Sequence, residues 1–189
     1  MMTDRVFEGF LADQLQKGME LSAASDIFSL VPVAGDPPTK YLMEFRSPTL
    51  VRVGNEVLEA EQSVVGLTFR PEHLRRPIDS AYLLSLIHPR EIYHPNARHS
   101  FICLGSVEPG IGIAEIAYRT YEILSFQKVT SLEYDALNKD ACSFCREHIH
   151  RFPLDTRPLK RSNLGGVIDP DADSARRGGD IELDGEVIR

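Results

Sequence analysis

Residues 92–104 read Ile-Tyr-His-Pro-Asn-Ala-Arg-His-Ser-Phe-Ile-Cys-Leu, with Cys103 nine positions after the histidine of the tripeptide His94-Pro95-Asn96. Pro95 and Asn96 favour a turn, because proline restricts its own φ angle and asparagine tolerates turn geometry. The wider segment from Tyr93 to Pro109 is also rich in turn-forming residues. The sequence therefore predicts a long irregular loop that carries a cysteine thiol.

A helix and a series of strands precede this loop. Apolar side chains recur at steps of three and four between Asp4 and Gly18, which predicts an amphipathic helix that Thr3 caps and Gly18 ends. Runs rich in Val, Ile, Phe and Tyr then alternate with turn residues, which predicts an antiparallel meander of about four strands. The extended segments are expected at Leu21–Ala34, Lys40–Arg46, Val51–Leu58, Ser63–Phe69 and, as a last short strand, Tyr82–Ile87.

Two helices and a tail follow the loop. The apolar periodicity predicts helices over Ile111–Phe126 and Asp135–His150. After Phe152 the periodicity stops and the chain becomes polar and Gly-rich, so we expect a domain over residues 1–152 and an extended tail over 153–189. Within the tail, Gly165-Gly166 and Gly178-Gly179 are typical of a linker, and Ile181–Ile188 can form a hairpin or join a sheet edge. The fold class is α+β, with helices grouped around one antiparallel sheet.

The composition disfavours several classes of protein. A net charge of -7 makes nucleic acid an unlikely partner, because phosphate binding relies on clustered Lys and Arg. No apolar run approaches the ~18 residues of a membrane span, and charged residues interrupt the first ten positions, unlike a signal peptide. We therefore expect a cytoplasmic protein without membrane or nucleic-acid partners. The three cysteines are then expected to be free thiols.

The loop resembles the active-site signature of the ubiquitin-conjugating enzyme family. In that family a His-Pro-Asn tripeptide precedes the acceptor cysteine, here His94-Pro95-Asn96 and Cys103, at a spacing one position shorter than the most common one. Asp135-Ala136-Leu137-Asn138 resembles the Asp-Pro-Leu stretch that opens the family's next helix. The order of elements over residues 4–150 also matches the family's order.

The resemblance implies a fold and an activity. A ubiquitin-like modifier would be received as a thioester on Cys103 from an activating enzyme and passed to an amine on a target protein. This chain would need no cofactor, because the activating enzyme uses the ATP. The family's Trp after the cysteine is missing, since the chain has no Trp, so the resemblance implies no known ligase partner. Such divergence is typical of prokaryotic members, which act with a dedicated activating enzyme and modifier.

The resemblance also implies a role for each site residue. Cys103 would carry the acyl group, because sulfur is a good nucleophile and a thioester remains a good acyl donor. Asn96 would stabilise the negative charge that develops on the carbonyl oxygen, or hold the loop that does so. Asp135 would orient the incoming lysine and favour its deprotonation. His94 and Pro95 would support the loop, and His99, four residues before Cys103, would favour the thiolate.

Each of these residues also has a purely structural explanation. Cys103, between Ile102 and Leu104, can be a small buried hydrophobic residue. Asn96 can be an ordinary turn residue, and Asp135 can be the N-cap of the third helix.

Cys142-x-x-Cys145-x-x-His148-x-His150 suggests a zinc site. On one continuous helix these four positions spread around the cylinder and cannot all face one ion. We therefore expect no metal and expect Cys145 and His148 to be buried.

Two other classes of function stay open. The first is a non-catalytic binding module of the same fold that holds a modifier or an activating enzyme. The second is a Cys–His hydrolase, which requires His94, His99 or His148 within hydrogen-bond reach of the Cys103 thiol.

Overall fold

Helix α1 spans Arg5–Ala23 in the computed structural model, which describes residues 4–161. The Asp4 carboxylate caps the helix by accepting hydrogen bonds from the backbone N–H groups of Val6 and Phe7. The helix continues past Gly18, where the sequence predicts its end. A side chain at Gly18 would collide with Leu30, so this glycine permits close packing of the helix on the sheet.

The strands that the structure describes all lie before the second helix. In chain order they are β1 (Phe28–Gly35), β2 (Pro38–Phe45), β3 (Thr49–Val53), β4 (Glu56–Ala60), β5 (Ser63–Thr68), β6 (Ile78–Asp79), β7 (Leu84–His88), β8 (Ala97–Arg98), β9 (Phe101–Ile102) and β10 (Ser106–Val107). Strands β1, β2, β5 and β7 form an antiparallel sheet in that spatial order. A row of buried side chains crosses the sheet from Leu30 through Met43 and Val65 to Leu86.

The predicted α+β class is confirmed: the structure has an N-terminal helix, a four-stranded antiparallel sheet and further helices. The segment expected over Val51–Leu58, which Gly54-Asn55 interrupts, belongs to a hairpin of β3 and β4 that turns at these two residues. Gly54 has a φ of +62°, the left-handed conformation that such two-residue turns require.

The hairpin also supports the loop that carries His94-Pro95-Asn96. Its β3 strand pairs with the segment that leads into His94-Pro95-Asn96. The Arg52 N–H donates to the Glu91 carbonyl at 2.9 Å, and the Tyr93 N–H donates to the Leu50 carbonyl at 2.8 Å.

Helix α2 spans Ile113–Leu124 and begins against α1. The N-cap residue Gly112 has no side chain that could cap the helix, so Gln14 of α1 supplies the capping group. The Ile113 N–H donates to the Gln14 Oε1 at 2.8 Å, and Gln14 is buried. This bond between helices fixes α2 relative to the N-terminal helix.

Helix α3 spans Lys139–Glu147 and is shorter than the predicted Asp135–His150. Its N-cap is Asn138, whose Oδ1 accepts from the Ala141 N–H at 3.1 Å. The reading of Asp135 as the N-cap is therefore wrong. A second, smaller hydrophobic core joins α3 to the hairpin and to the loop of residues 92–104 through Leu50, Tyr93, Phe126, Ala141 and Cys145.

The described residues after Phe152 pack against the domain. The Leu154 N–H donates to the Ser125 carbonyl at 2.9 Å, and the Arg161 N–H donates to the Ala24 carbonyl at 2.8 Å. Leu159 is buried in the main core. The boundary at residue 152 stays a prediction, and both Gly-Gly pairs and Ile181–Ile188 lie outside the described residues. Between residues 4 and 161, no helix is both long and apolar enough to span a membrane.

Candidate active site

A short hairpin brings Asn96 next to Cys103. Strands β8 and β9 pair Ala97 with Ile102. At the next pair of residues, the Cys103 N–H donates a hydrogen bond to the Asn96 carbonyl at 2.8 Å. The connecting turn contains Ser100, with a φ of +67°. The tripeptide and the cysteine, separated in the sequence, are therefore cross-strand neighbours.

Ser80 holds the backbone on both sides of Cys103. Its hydroxyl donates to the Ile102 carbonyl at 3.1 Å and accepts from the Leu104 N–H at 3.0 Å. The Ser80 side chain is buried in a 3₁₀ turn over Ser80–Tyr82. The sequence contains no local signal for this role, because the bonds join segments more than 20 positions apart.

Cys103 is half-buried and lines an open groove of about 330 Å³. The other two cysteines, Cys142 and Cys145, are buried. The remaining groove residues are Asn96, Leu104, Gly105, Arg119, Ile123, Lys128, Thr130 and Asp135. The structure thus brings Cys103, Asn96 and Asp135 to one groove. The alternative in which Cys103 is simply a buried hydrophobic residue does not fit this exposure.

The Asn96 side chain fixes the loop of residues 128–138, which forms one wall of the groove. Its Nδ2 donates to the Thr130 Oγ1 at 2.6 Å, and its Oδ1 accepts from the Thr130 N–H at 2.8 Å. Near the other end of the 128–138 loop, the Leu137 N–H donates to the Pro95 carbonyl at 2.8 Å. Asn96 and Pro95 are therefore structural supports of the groove and more than ordinary turn residues.

His94 is a buried brace beneath the loop. Its Nδ1 accepts from the Asn96 N–H at 2.9 Å, and its ring packs on Phe126 with the ring centroids 4.2 Å apart. Burial lowers the pKa of His94 to about 3, although the backbone of Ile123 acts in the opposite direction. The ring is therefore neutral at physiological pH, with the proton assigned to Nε2 because Nδ1 accepts. Because its Nδ1 lone pair already accepts from Asn96 and the buried ring does not line the groove, His94 is not placed to act as a general base for Cys103.

The other histidines considered from the sequence do not reach the groove. His99 is exposed in the turn between β8 and β9 and is not among the residues that line the groove. The Nδ1 of His148 hydrogen-bonds the Phe144 carbonyl at 2.9 Å, and its ring stacks on Phe144. Among the described residues, no histidine lines the groove, so the geometry does not favour a Cys–His hydrolase.

Three charged side chains lie in the groove. Arg119 is engaged by Glu108 at 3.0 Å and by Glu115 at 2.8 Å. Hydrogen bonding to these carboxylates raises the pKa of Arg119. Lys128 and the exposed Asp135 make no ion pair within residues 4–161. One carboxylate and one ammonium therefore stay available to a ligand in the groove.

Cys142 and Cys145 contribute to the packing of α3. Burial raises the pKa of Cys145 to about 12, which keeps this thiol protonated at neutral pH. The Cys142 Sγ lies 3.4 Å from the Thr130 carbonyl, behind the wall of the groove. No three His, Cys, Asp or Glu side chains converge as metal ligands in the described part of the chain, and the expectation of no metal stays a prediction.

Comparison with known proteins does not identify a family. No protein-family model matches the chain, and no curated protein is significantly similar to it. The likeness to ubiquitin-conjugating enzymes therefore stays a hypothesis. Its support is the motif in residues 92–104, the order of the elements and the composition of the groove.

Proposed function

We propose that this protein is an acyltransferase of the ubiquitin-conjugating type. Cys103 would accept the C-terminal acyl group of a ubiquitin-like protein from an activating enzyme and transfer it to an amine of a target protein. The main support is that Cys103, Asn96 and Asp135, up to 39 positions apart in the sequence, line one open groove. A carrier of a bulky acyl group requires an accessible thiol, and Cys103 meets that requirement.

The loading step needs little from the groove. The Cys103 thiolate attacks the thioester carbonyl on the activating enzyme, a new S–C bond forms, and the enzyme's thiolate leaves. Both sides of this exchange are thioesters, so the step is close to isoenergetic and an activated donor reduces the need for a general base. The lack of a histidine among the groove-lining residues that the structure describes is compatible with this chemistry.

The transfer step uses the rest of the groove. A target amine attacks the Cys103 thioester, the amide bond forms, and the Cys103 thiolate leaves while the nitrogen loses a proton to solvent. Asp135 would attract the incoming lysine ammonium and favour deprotonation of the tetrahedral adduct. Thr130 uses one Nδ2 hydrogen of Asn96. The second Nδ2 hydrogen is then available to the oxygen on which negative charge develops.

A peptide thioester tests this proposal without the activating enzyme. The full chain is mixed with a fluorescent peptide that ends in Gly-Gly and carries an α-thioester. We expect a thiol-labile adduct on the wild type and on Cys142→Ala, and no adduct on Cys103→Ala. The adduct should discharge to lysine faster than the same peptide on glutathione, and Asp135→Ala should reduce this advantage.

Two results would contradict the proposal. The first is an adduct that persists in Cys103→Ala, which would place the acyl group elsewhere. The second is discharge to lysine no faster than that of the glutathione thioester. With that second result, the non-catalytic binding module becomes the better explanation.

A further inference from the structure

Strand β4 of the β3–β4 hairpin has an open edge. The other side of the hairpin is occupied, because β3 bonds through the backbone of Leu50 and Arg52 to another segment of the chain. The alternate residues of β3 then bond to β4, so Val57 and Glu59 of β4 direct their backbone groups away from the hairpin. Between residues 4 and 161, these outward N–H and C=O groups have no backbone partner. An unpaired edge of this kind is a template for a further strand.

Strand β1, at one edge of the four-stranded sheet, is protected in a way that β4 is not. The Phe28 N–H donates to the Ser25 hydroxyl at 3.0 Å, and the Leu30 N–H donates to the Ser22 hydroxyl at 3.2 Å. Pro32, two positions further along the same edge, has no N–H to donate. Proteins commonly protect edge strands with such devices. The backbone of β4 carries none of them.

The hairpin presents an apolar face beside its open edge. Val53 is 57% exposed and Leu58 is 46% exposed, and the cross-strand pairs place both on one face with Val51. The opposite face carries Leu50 and Val57, which pack in the second hydrophobic core and hold the hairpin in place. A strand added to β4 would therefore meet an ordered edge and would gain apolar contacts as well as backbone hydrogen bonds.

The charge of the edge favours a basic strand. Glu56 and Glu61 are exposed and make no ion pair within the part of the chain that the structure describes. Glu59 is engaged by Arg151 at 3.4 Å. Opposite charges on neighbouring strands stabilise their pairing, and like charges directly opposite each other destabilise it.

The same charges disfavour two other occupants. In a second copy of this chain, β4 would bring the glutamates of both copies to one edge. Residues 181–188 of this chain alternate apolar and polar side chains, as a strand does, but they include three acidic residues and no basic one. A basic segment of another protein fits the edge better than either of these.

We infer that the free edge of β4 binds an extended segment of a partner protein by strand addition, and that this segment carries basic and apolar side chains. Its backbone pairs with Val57 and Glu59, its apolar side chains pack beside Leu58, and its cations lie near Glu56. The inference is independent of the proposed acyl transfer, because no residue of β4 lines the groove of Cys103.

Three synthetic heptapeptides test this inference by fluorescence anisotropy with the full chain. The first is labelled Lys-Val-Lys-Val-Lys-Val-Lys, and in the second glutamate replaces each lysine. The third is the basic peptide with methyl groups on all its peptide nitrogens, which keeps the side chains but cannot donate to a strand. We expect the basic peptide to bind at least roughly tenfold more tightly than either analogue.

Matched variants locate the binding on β4. Leu58→Lys places a cation beside the edge and should weaken binding of the basic peptide at least roughly tenfold, and Glu56→Gln should weaken it roughly threefold. Val31→Lys is the control, because Val31 is 51% exposed on the protected strand β1. This variant should bind the basic peptide as the wild type does.

Hydrogen exchange followed by NMR identifies the paired backbone groups. The amide protons of Val57 and Glu59 should exchange rapidly in the chain alone and at least roughly tenfold more slowly with the basic peptide bound. The Leu58 amide is the internal control, because it bonds to Val51 within the hairpin in both states. Its exchange should change less than that of its two neighbours.

Several results would overturn the inference. Equal binding of the methylated peptide would mean that charge alone attracts the ligand, and equal binding of the acidic peptide would remove the charge preference. Undiminished binding by Leu58→Lys would place the site elsewhere. Amides of Val57 and Glu59 that are already protected in the chain alone would mean that the chain covers its own edge. Protection that rises with protein concentration would assign the edge to a second copy.

Discussion

The Asn96–Thr130 contact is expected to be an energetically coupled unit, and a double-mutant cycle can measure its coupling. Asn96→Ala removes both hydrogen bonds to Thr130, whereas Thr130→Val removes only the bond from Nδ2 to Oγ1 and keeps the backbone N–H. Valine also retains the β-branched shape of threonine. The double variant Asn96→Ala/Thr130→Val loses no further Asn96–Thr130 bond beyond those lost in Asn96→Ala.

The expected magnitudes follow from the number of bonds. Each bond contributes about 1 kcal/mol to the free energy of unfolding. We therefore expect losses of about 1 kcal/mol for Thr130→Val, about 2 kcal/mol for Asn96→Ala and about 2 kcal/mol for the double variant. The coupling free energy is then about 1 kcal/mol. For a chain of this size, Asn96→Ala should lower the Tm by roughly 4–8 °C.

Urea unfolding followed by circular dichroism measures these free energies, with similar m-values required in all four proteins. Additive losses, with the double variant less stable than the wild type by about 3 kcal/mol, would show that Asn96 and Thr130 are not coupled. Asn96 would then not be a brace of the groove wall, and a direct role at the carbonyl oxygen would become its main explanation.

Three further predictions concern the surroundings of this contact. Ser80→Ala should lower the free energy of unfolding by roughly 2 kcal/mol in urea titrations, because it leaves the Ile102 carbonyl and the Leu104 N–H without their partner; an unchanged stability would contradict this role. The unfolded state takes up a proton on histidine near pH 6.5 while buried His94, with a pKa of about 3, does not. His94 alone should therefore lower the free energy of unfolding by up to about 1.4 kcal/mol per pH unit below pH 6.5, and His94→Asn should reduce the slope by up to that amount; urea titrations between pH 4.5 and 7 check this, and a slope that the substitution leaves unchanged would contradict it. Asp135→Ala should slow discharge to lysine and change the free energy of unfolding by less than about 0.5 kcal/mol. Asn138→Ala removes the N-cap of α3 and should lower the free energy of unfolding by about 1 kcal/mol. Equal losses of stability in the two variants would contradict the assignment of Asn138, and not Asp135, as the N-cap.

Helix and strand periodicity predicted most of the elements, and the errors have physical causes. The sequence predicts that Gly18 ends α1, but the glycine is explained by its close approach to Leu30, which local periodicity does not report. Asp135 and Asn138 are both good N-cap residue types. The Pro95 carbonyl accepts from the backbone N–H groups of Leu137 and Asn138. This tertiary contact lies immediately before α3, which begins at Lys139 and not at Asp135 as the sequence predicts.

The candidate site was only partly predictable. The proximity of Asn96, Cys103 and Asp135 followed from a resemblance and not from spacing alone. The sequence does not predict the roles of Ser80 and Thr130, because each acts through hydrogen bonds to residues 22 to 34 positions away and neither belongs to a motif. The position of His99 four residues before Cys103 suggests a contact with the thiol, but the hairpin turn places His99 outside the groove lining.

The most direct measurement identifies the atom that carries the acyl group in the complete reaction. The full chain is incubated with ATP, an activating enzyme and a ubiquitin-like modifier, and the products are analysed by intact mass and peptide mapping. We expect a thiol-labile adduct on Cys103 and a thiol-resistant oxyester at the same position in Cys103→Ser. Cys103→Ala should give no adduct, and Cys142→Ala should load normally. An adduct mapped to any other residue, or one that survives in Cys103→Ala, would contradict the assignment of Cys103 as the acyl carrier.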